Sequence, residues 1–443
     1  MGIQDIIVGP IYFLLIMLIG VNIKNKFKDK VIGNYFIKGL FLKLVGAFGI
    51  SIIYFFYYES GDTVYYFQRA KLLDSVLISN FGVGLKLLLA NPMIIDSQTY
   101  GHFQAMRAWD ASSYIVVKMA AITNIVCFNS YLANAFIFSA LSFIGIWRLF
   151  TMLKEIFPDK TKILAWSFLF IPSVFFWGSG VLKDNVTYGF LGIFITSFYY
   201  LFIKRRHVGK NLLLLIISTY LIGVIKSYIL LAAIPAILTW LFFKFRGNIQ
   251  STAVKTLATP LLLLFIAGTG FGALQLMGNS FNKFSVDNAQ EKAEDMQRWH
   301  TYRVEVLKGG DGSSYNLGHV SFTPIGILTK IPEAVNVAIF RPYLWEAGNP
   351  VMMMSAFESL FFLLITIRLF FMFSKNMSGG FSYLAKYPIL YFMLVFSIIF
   401  AFSVGFTAFN FGALSRYRIP LLPFYMCSVL LLTDALRNYK KVL

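Results

Sequence analysis

The residues best suited to chemistry in this sequence are polar side chains at the ends of long apolar runs. Asp62, in YESGDTVYY, follows an apolar run of about 20 residues, the length of a membrane span. An ionisable group at a membrane boundary loses hydration energy unless it is paired or used, so Asp62 is a candidate catalytic carboxylate. Its neighbours Gly61 and Thr63 leave room for an acceptor hydroxyl, from which Asp62 could take a proton as a general base. The alternative interpretation is a solvated loop acid.

Cations at similar boundaries could bind an anion. They and their acidic neighbours are Lys183 and Asp184 in PSVFFWGSGVLKDN, Lys226 between two apolar runs, Arg341 and Glu346 in FRPYLWEAGNP, and Arg416 and Arg418 in FNFGALSRYRIPLLPF. Arginine binds phosphate through two parallel hydrogen bonds, which suits a phosphate or diphosphate whose lipid tail stays in a bilayer. Simpler interpretations exist. The paired arginines could snorkel to lipid headgroups, Glu346 could neutralise Arg341, and Asp184 could cap a helix.

Other polar residues are weaker candidates. Glu59 is a second choice to Asp62, and Glu358, inside an apolar run, is expected to be paired within a helix bundle. The four histidines lack ligand spacing, and Cys127 and Cys427 are far apart in apolar surroundings, so neither a zinc site nor a disulfide is indicated. No paired-acid motif is evident. The sequence therefore predicts no certain cofactor and leaves a divalent cation open.

The elements that must position these residues are membrane helices. Of the 443 residues, 58% are hydrophobic and only 13% charged, more apolar than a soluble core requires. We predict an all-α polytopic membrane protein, a single transmembrane domain over 1–443. About 11 transmembrane helices are expected, at 6–23, 39–58, 131–152, 163–179, 186–203, 211–225, 227–243, 254–275, 351–374, 386–408 and 419–436. The first run follows Asp5 without a basic n-region or a cleavage site, so it is expected to remain as a helix.

The formal charge of +19 is interpreted through the orientation of these helices. Segment 111–126 is short and contains Lys118, and if it spanned, KRRHVGK at 204–210 would lie outside. We therefore predict a helix there that lies at the outer surface or is only partly inserted. The cytoplasmic segments then hold twenty Lys or Arg and three acids, a balance of +17, as the positive-inside rule expects. The N-terminus is predicted outside, the C-terminus inside, and binding of nucleic acid is not needed to explain the charge.

Two outer regions are long. The first, 59–130, mixes aliphatic and aromatic residues with sparse charge, which predicts interfacial helices. The second, 276–350, begins with a polar stretch followed by KGGDGSS, which predicts an exposed helix and a glycine loop. This region is interpreted as a solvated connector, with a substrate-gating lid as the alternative.

Three motifs resemble the GT-C superfamily of integral membrane glycosyltransferases, which includes protein O-mannosyltransferases and lipid A aminoarabinose transferases. GDTVYY followed by 59–130 resembles the acidic residue and interfacial helices of the family's first outer loop. PSVFFWGSGVLKD resembles the end of a family span that leads into a second outer loop. RYRIPLLPF resembles the arginine-bearing start of a late helix in the family, a feature that polysaccharide polymerases also have. The first span, 6–23, is an addition to the family pattern.

The resemblance implies an inverting transfer from a polyprenyl-phosphate sugar to a glycan, lipid or protein acceptor. The site would face the periplasm at the inner membrane. Asp62 would be the base or would position the acceptor, while Lys226, Arg341, Arg416 and Arg418 would bind the phosphate and stabilise the leaving group. Lys183, Asp184 and Glu346 complete the candidate substrate-binding set.

Two other functions remain open from the sequence. An O-antigen or exopolysaccharide polymerase would use diphosphate-linked repeat units and depend more on the arginines than on Asp62. A transporter or flippase of lipid-linked substrates would be expected to show inverted repeats and interrupted helices near the bilayer midplane, and the sequence indicates neither.

Overall fold

A computed structural model of the chain describes residues 1–94, 96–108, 110–248, 264–265, 268, 314–315, 317–318 and 324–439. Within these residues the regular structure is all helical, and no strand is present apart from an isolated bridge between Ser314 and Asn410. The chain divides into two compact units, Met1–Lys226 and Ser227–Leu443, each described below by itself.

The first unit contains ten helices and the beginning of an eleventh in its described residues. They are α1 (Ile3–Asn25), α2 (Lys30–Ile52, continued by a π-helical turn at Ile53–Tyr57), α3 (Asp62–Ser79), α4 (Phe81–Leu89), α5 (Tyr100–Met106), α6 (Ala111–Val126), α7 (Tyr131–Ile156), α8 (Thr161–Leu169), α9 (Pro172–Trp177), α10 (Lys183–Phe198, continued by a π-helical turn at Tyr199–Ile203) and α11 (Val208–Phe245). Side-chain caps define several starts: Asp29 accepts hydrogen bonds from the first turn of α2, and Ser130 does so for α7.

Helix α7 is the centre of this unit and packs against α1, α2 and α10. Its crossing with α10 is close because glycines face each other: a Cβ at Gly145 would collide with the carbonyl group of Gly189. Small residues allow membrane helices to approach in this way. The resulting α7–α10 contact fixes the residues at the start of α10.

The predicted outer segment 59–130 contains α3 to α6, with α3 packed against α4 and α6. A polar network is enclosed in this packing. The Asn124 amide donates to the buried Asp74 carboxylate at 2.9 Å, and Asn134 of α7 donates to the Asn124 oxygen at 3.1 Å. Large apolar side chains, including Ile78, Phe81 and Leu89, remain exposed, as interfacial helices would require. Segment 111–126 is helical, as predicted.

The second unit begins at 227, and most of 249–323, including the polar half of the predicted region 276–350, lies outside the described residues. Within its described residues the helices after α11 are α12 (Pro324–Thr329), α13 (Ile331–Phe340), α14 (Pro350–Lys375), α15 (Met377–Lys386), α16 (Ile389–Thr407), α17 (Phe411–Tyr417) and α18 (Leu422–Tyr439). Helix α18 packs against α14, α15 and α16, while α13 packs against α14 and α16. A Cβ at Gly405 would collide with the Ala334 carbonyl, so α13 and α16 also meet closely.

The described part of the chain has seven helices long and apolar enough to cross a membrane, or eight if α17 and α18, bent by 69°, form one span. The prediction of a multi-pass helical membrane protein is confirmed at this level, whereas the count of eleven is not. The run 163–179 forms two short helices, α8 and α9, because the chain breaks before Pro172. Runs 211–225 and 227–243 join in α11, interrupted by non-helical backbone at Lys226, and 254–275 lies almost entirely outside the described residues.

Candidate functional site

Asp62 is the first residue of α3 and is exposed. The turn before it depends on Gly61, whose φ of +125° is a conformation open almost only to glycine, and a Cβ there would lie 2.5 Å from Tyr54 Cε1. The next residue, Thr63, is buried and bonds to the Tyr131 hydroxyl of α7 at 2.5 Å. The carboxylate is thus presented at an anchored helix N-terminus, where the helix dipole favours its negative charge.

Lys183, at the first turn of α10, is held by the start of α6. Its Nζ lies 3.1 Å from Asp110 Oδ2 and donates to Ser112 Oγ at 2.6 Å. Asp110 also accepts from the backbone N–H groups of Ser112 and Ser113, which caps α6. Partial burial opposes ionisation of Asp110, but the Lys183 charge and the two serines outweigh it and hold the pKa of this carboxyl well below its usual range.

Asp110 was missed by the sequence analysis. The signal that could have found it is the order Asp, Ala, Ser, Ser ahead of the apolar stretch YIVV, which is typical of a helix N-cap. The sequence does not indicate that this cap also binds a lysine 73 positions later.

Asp184 and Lys226 form a buried ion pair. Lys226 Nζ lies 2.5 Å from Asp184 Oδ1, and the two side chains are only 8% and 1% exposed. Lys226 adopts non-helical backbone angles within α11, φ −149° and ψ 74°. Asp184 lies in the first turn of α10, where Leu182 rather than Asp184 occupies the N-cap position. Each charge therefore has a partner that offsets the cost of removing it from water.

These pairs belong to one electrostatic group in the first unit. The Lys183 ammonium interacts with the charges of Asp62 and Lys226 as well as with Asp110. Four of the residues predicted from sequence, Asp62, Lys183, Asp184 and Lys226, are therefore brought together. The group combines an exposed carboxylate able to accept a proton with a lysine that is 19% exposed and able to meet an anion.

The remaining predicted residues lie in the second unit. Arg341 and Glu346 form an ion pair, and Glu346 Oε2 also accepts from the Tyr343 backbone N–H at 2.8 Å. The Arg341 guanidinium lies 5.3 to 5.8 Å from the ring centres of Phe411, Tyr343 and Tyr315. Glu346 thus pairs with its neighbour, which was the simpler of the two sequence interpretations.

Arg418 is fully buried, with 0% of its surface exposed. Its Nη1 donates to the Arg341 carbonyl at 2.9 Å and to Ser359 Oγ at 3.0 Å, while Nη2 lies 3.6 Å from Glu358 Oε1. Glu358 therefore has the pairing expected of it. Arg416, in the last turn of α17, is partly exposed. Of the two arginines predicted to bind an anion, Arg416 is the more accessible.

Metal ligation has little support in the described ranges, which contain no group of three or more His, Cys, Asp or Glu side chains placed to hold an ion. Both cysteines are buried and unbonded to each other, and burial raises the pKa of the Cys127 thiol to about 12. Asp62, Asp110 and Asp184 instead share their surroundings with lysines.

Comparisons of the chain with protein-family models, with curated proteins and with solved structures find no match.

Proposed function

We propose that this protein is a membrane glycosyltransferase that moves a sugar from a polyprenyl-phosphate donor to a hydroxyl acceptor, as its resemblance to the GT-C superfamily implies. The observation that carries the proposal is the exposed Asp62 carboxylate at the start of α3, within the electrostatic range of Lys183. Such a pair matches the two charges that develop in the reaction. One is the proton leaving the acceptor and the other is the negative leaving group.

In the proposed reaction Asp62 accepts the proton of the acceptor hydroxyl. The hydroxyl oxygen attacks the anomeric carbon of the sugar, and the bond from that carbon to the phosphate oxygen breaks. The electron pair leaves with the polyprenyl phosphate, and configuration at the anomeric carbon is inverted. A fixed ammonium group in a partly dry site stabilises this developing charge without reorganising at the moment of reaction.

The lysines would divide the work. Lys183 is the more exposed and could exchange part of its contact with Asp110 for a phosphate oxygen. Lys226, enclosed with Asp184, would act by holding the start of α10 and by adding positive potential. Arg418 is fully buried, and its Nη1 donates to the Arg341 carbonyl and to Ser359 of its own unit, which favours a structural role. Arg341 would have to exchange Glu346 for a phosphate.

We further propose the orientation implied by the charge distribution, with the N-terminus and the Asp62 group on the periplasmic side of the inner membrane and the C-terminus inside. Eleven crossings would result if α11 crosses twice, on either side of Lys226, and if 163–179 and 254–275 each cross once. At 38 residues α11 is roughly twice the length needed for one ~30 Å crossing, which supports the first of these conditions.

The test is a donor-consumption assay with the purified protein in liposomes. Polyprenyl-phosphate and polyprenyl-diphosphate sugars, each radiolabelled in the sugar, are supplied with an extract containing glycan, lipid and protein acceptors. Label transferred from the monophosphate donor is the expected result. Chain extension from diphosphate-linked units would instead identify a polymerase, and consumption of neither donor would refute the enzyme proposal.

A further inference from the structure

A lysine outside the candidate site lies in the interior of the first unit. Lys43 is near the middle of α2 and is only 2% exposed. Its ammonium group donates a short hydrogen bond to the Gly178 carbonyl and lies 5.7 Å from the centre of the Tyr188 ring. A cavity beside it, lined in part by Phe143 and Phe175, has a volume of about 10 Å³, near the minimum for one water.

The position is costly for an ammonium group. Among the residues that the structure describes, no carboxylate pairs with Lys43, and an unpaired buried charge is strongly disfavoured within a membrane. Apolar replacement of buried charged groups is often neutral or stabilising. Packing alone therefore does not explain a lysine at this position, and its hydrogen bond to the Gly178 carbonyl offers the explanation.

That contact is to the segment that leads into Lys183 and Asp184. Gly178 ends α9, and residues 178–182 connect it to α10. Ser179 Oγ lies 3.0 Å from the Lys43 carbonyl and 2.6 Å from the Phe175 carbonyl, so its hydroxyl links this connection to α2 and α9. The contact is close, because a Cβ at Gly46, one turn further along α2, would collide with the Phe175 carbonyl.

The other end of the connection is fixed as well. The Gly180 N–H donates to Ser139 Oγ of α7 at 2.9 Å, and the Asn185 amide donates to the Gly180 carbonyl at 2.7 Å. The connection is therefore hydrogen-bonded to both α2 and α7, and Lys43 is the only Lys or Arg side chain among the hydrogen bonds described for 178–182.

We propose that Lys43 is a positioning residue. By its hydrogen bond to Gly178 it holds residues 178–182 in place, so that Lys183 meets Asp110 and Asp184 meets Lys226. Its expected effect on catalysis, unlike its effect on the position of 178–182, rests on the proposed function. Lys43 itself touches no reacting group. Its effect passes through Gly178 to the start of α10.

The experiment compares Lys43→Met and Lys43→Arg in the full-length protein, using hydrogen–deuterium exchange of the peptide that covers 178–184. Met has a similar length but cannot donate to Gly178, whereas Arg keeps both charge and donor. Loss of this hydrogen bond leaves the buried Gly178 carbonyl without its lysine donor, which should make exchange in the Met variant roughly tenfold to a hundredfold faster. The Arg variant should retain most of the protection. Packing alone predicts the reverse order, since Met fits and Arg is too large.

The control is Lys118→Met, which removes a partly buried lysine that also donates to a backbone carbonyl, that of Ala90. It should leave exchange of the 178–184 peptide unchanged. If Lys43→Met does not fold, Ser179→Ala removes the return contact to α2 and should give a smaller increase in the same peptide. Unchanged exchange in the folded variants, or better protection with Met than with Arg, would overturn the inference.

Exchange is measured without substrate, so its outcome is independent of whether the protein transfers a sugar. Where transfer is measurable, Lys43→Met should lower kcat and Lys43→Arg should keep it. A normal kcat in a Met variant with a loosened connection would show that this position has no catalytic consequence.

Discussion

The buried ion pair between Asp184 and Lys226 gives the most quantitative prediction. Replacing Asp184 by Asn removes the negative charge while keeping the shape of the side chain, and Lys226→Met removes the positive charge. In either single variant the remaining charge stays enclosed, since the two side chains are 1% and 8% exposed in the native protein. The cost of enclosing the remaining charge without its ion-pair partner then adds to the lost attraction.

The expected cost of either single substitution is about 3–5 kcal/mol in the free energy of unfolding, as found when one partner of a buried pair is removed. The low exposure of both side chains justifies the upper half of this range. The double variant, Asp184→Asn with Lys226→Met, removes both charges of the pair. Its stability should lie close to that of the native protein, so the two losses should be strongly non-additive.

The assay is a double-mutant cycle in mixed micelles, in which unfolding by SDS is followed by circular dichroism. Lys204→Met serves as a control because Lys204 pairs with Glu155 at an exposed position, and pairs of that kind contribute little. Single variants within about 1 kcal/mol of the native protein, or a double variant whose loss equals the sum of the two single losses, would refute the reasoning.

Three further predictions concern the supports of the site. Gly61→Ala should lower the free energy of unfolding by about 1–3 kcal/mol, because φ is +125° there and a Cβ would crowd Tyr54; an unchanged SDS midpoint would contradict this. Burial raises the pKa of the Asp74 carboxyl, so its neutral form stabilises the fold at low pH, and this stabilisation should be lost as pH rises from about 3.9 through the raised pKa. The melting temperature of Asp74→Asn, measured against pH, should lack this decline. A pH profile identical to that of the native protein would refute the prediction. Arg418→Gln should cost about 3 kcal/mol, because Glu358 loses its cation in a buried setting, and a normal yield of folded protein after heating would argue against that role.

Much of the helical architecture could be predicted from apolar length alone. The run predicted at 131–152 is α7, Tyr131–Ile156, and the run at 351–374 is α14, Pro350–Lys375. Hydropathy averages over single residues, so it did not reveal the break before Pro172 or the fused helices around Lys226. The same averaging concealed Lys43 within the run 39–58.

In the first unit, four residues of the candidate site were predictable from the sequence, but Asp110 and the pairings were not. Carboxylates and lysines at the ends of apolar runs were recognised because charge at a membrane boundary is costly, and four of them do lie together in the first unit. Which lysine meets which carboxylate depends on contacts across 42 and 73 positions. Burial of Arg418 likewise depends on Ser359 and Glu358 of another helix, which the sequence around Arg418 does not indicate.

The central claim is that Asp62 accepts the acceptor's proton in transfer from a polyprenyl-phosphate sugar. The most direct measurement is the single-turnover rate of sugar transfer by Asp62→Asn, compared with Glu59→Gln, which neutralises an exposed carboxylate three positions earlier. Loss of a general base should reduce the rate of Asp62→Asn by roughly 100-fold to 10,000-fold, while Glu59→Gln stays near the native rate. A native rate for Asp62→Asn, or an equal loss in both variants, would contradict the claim.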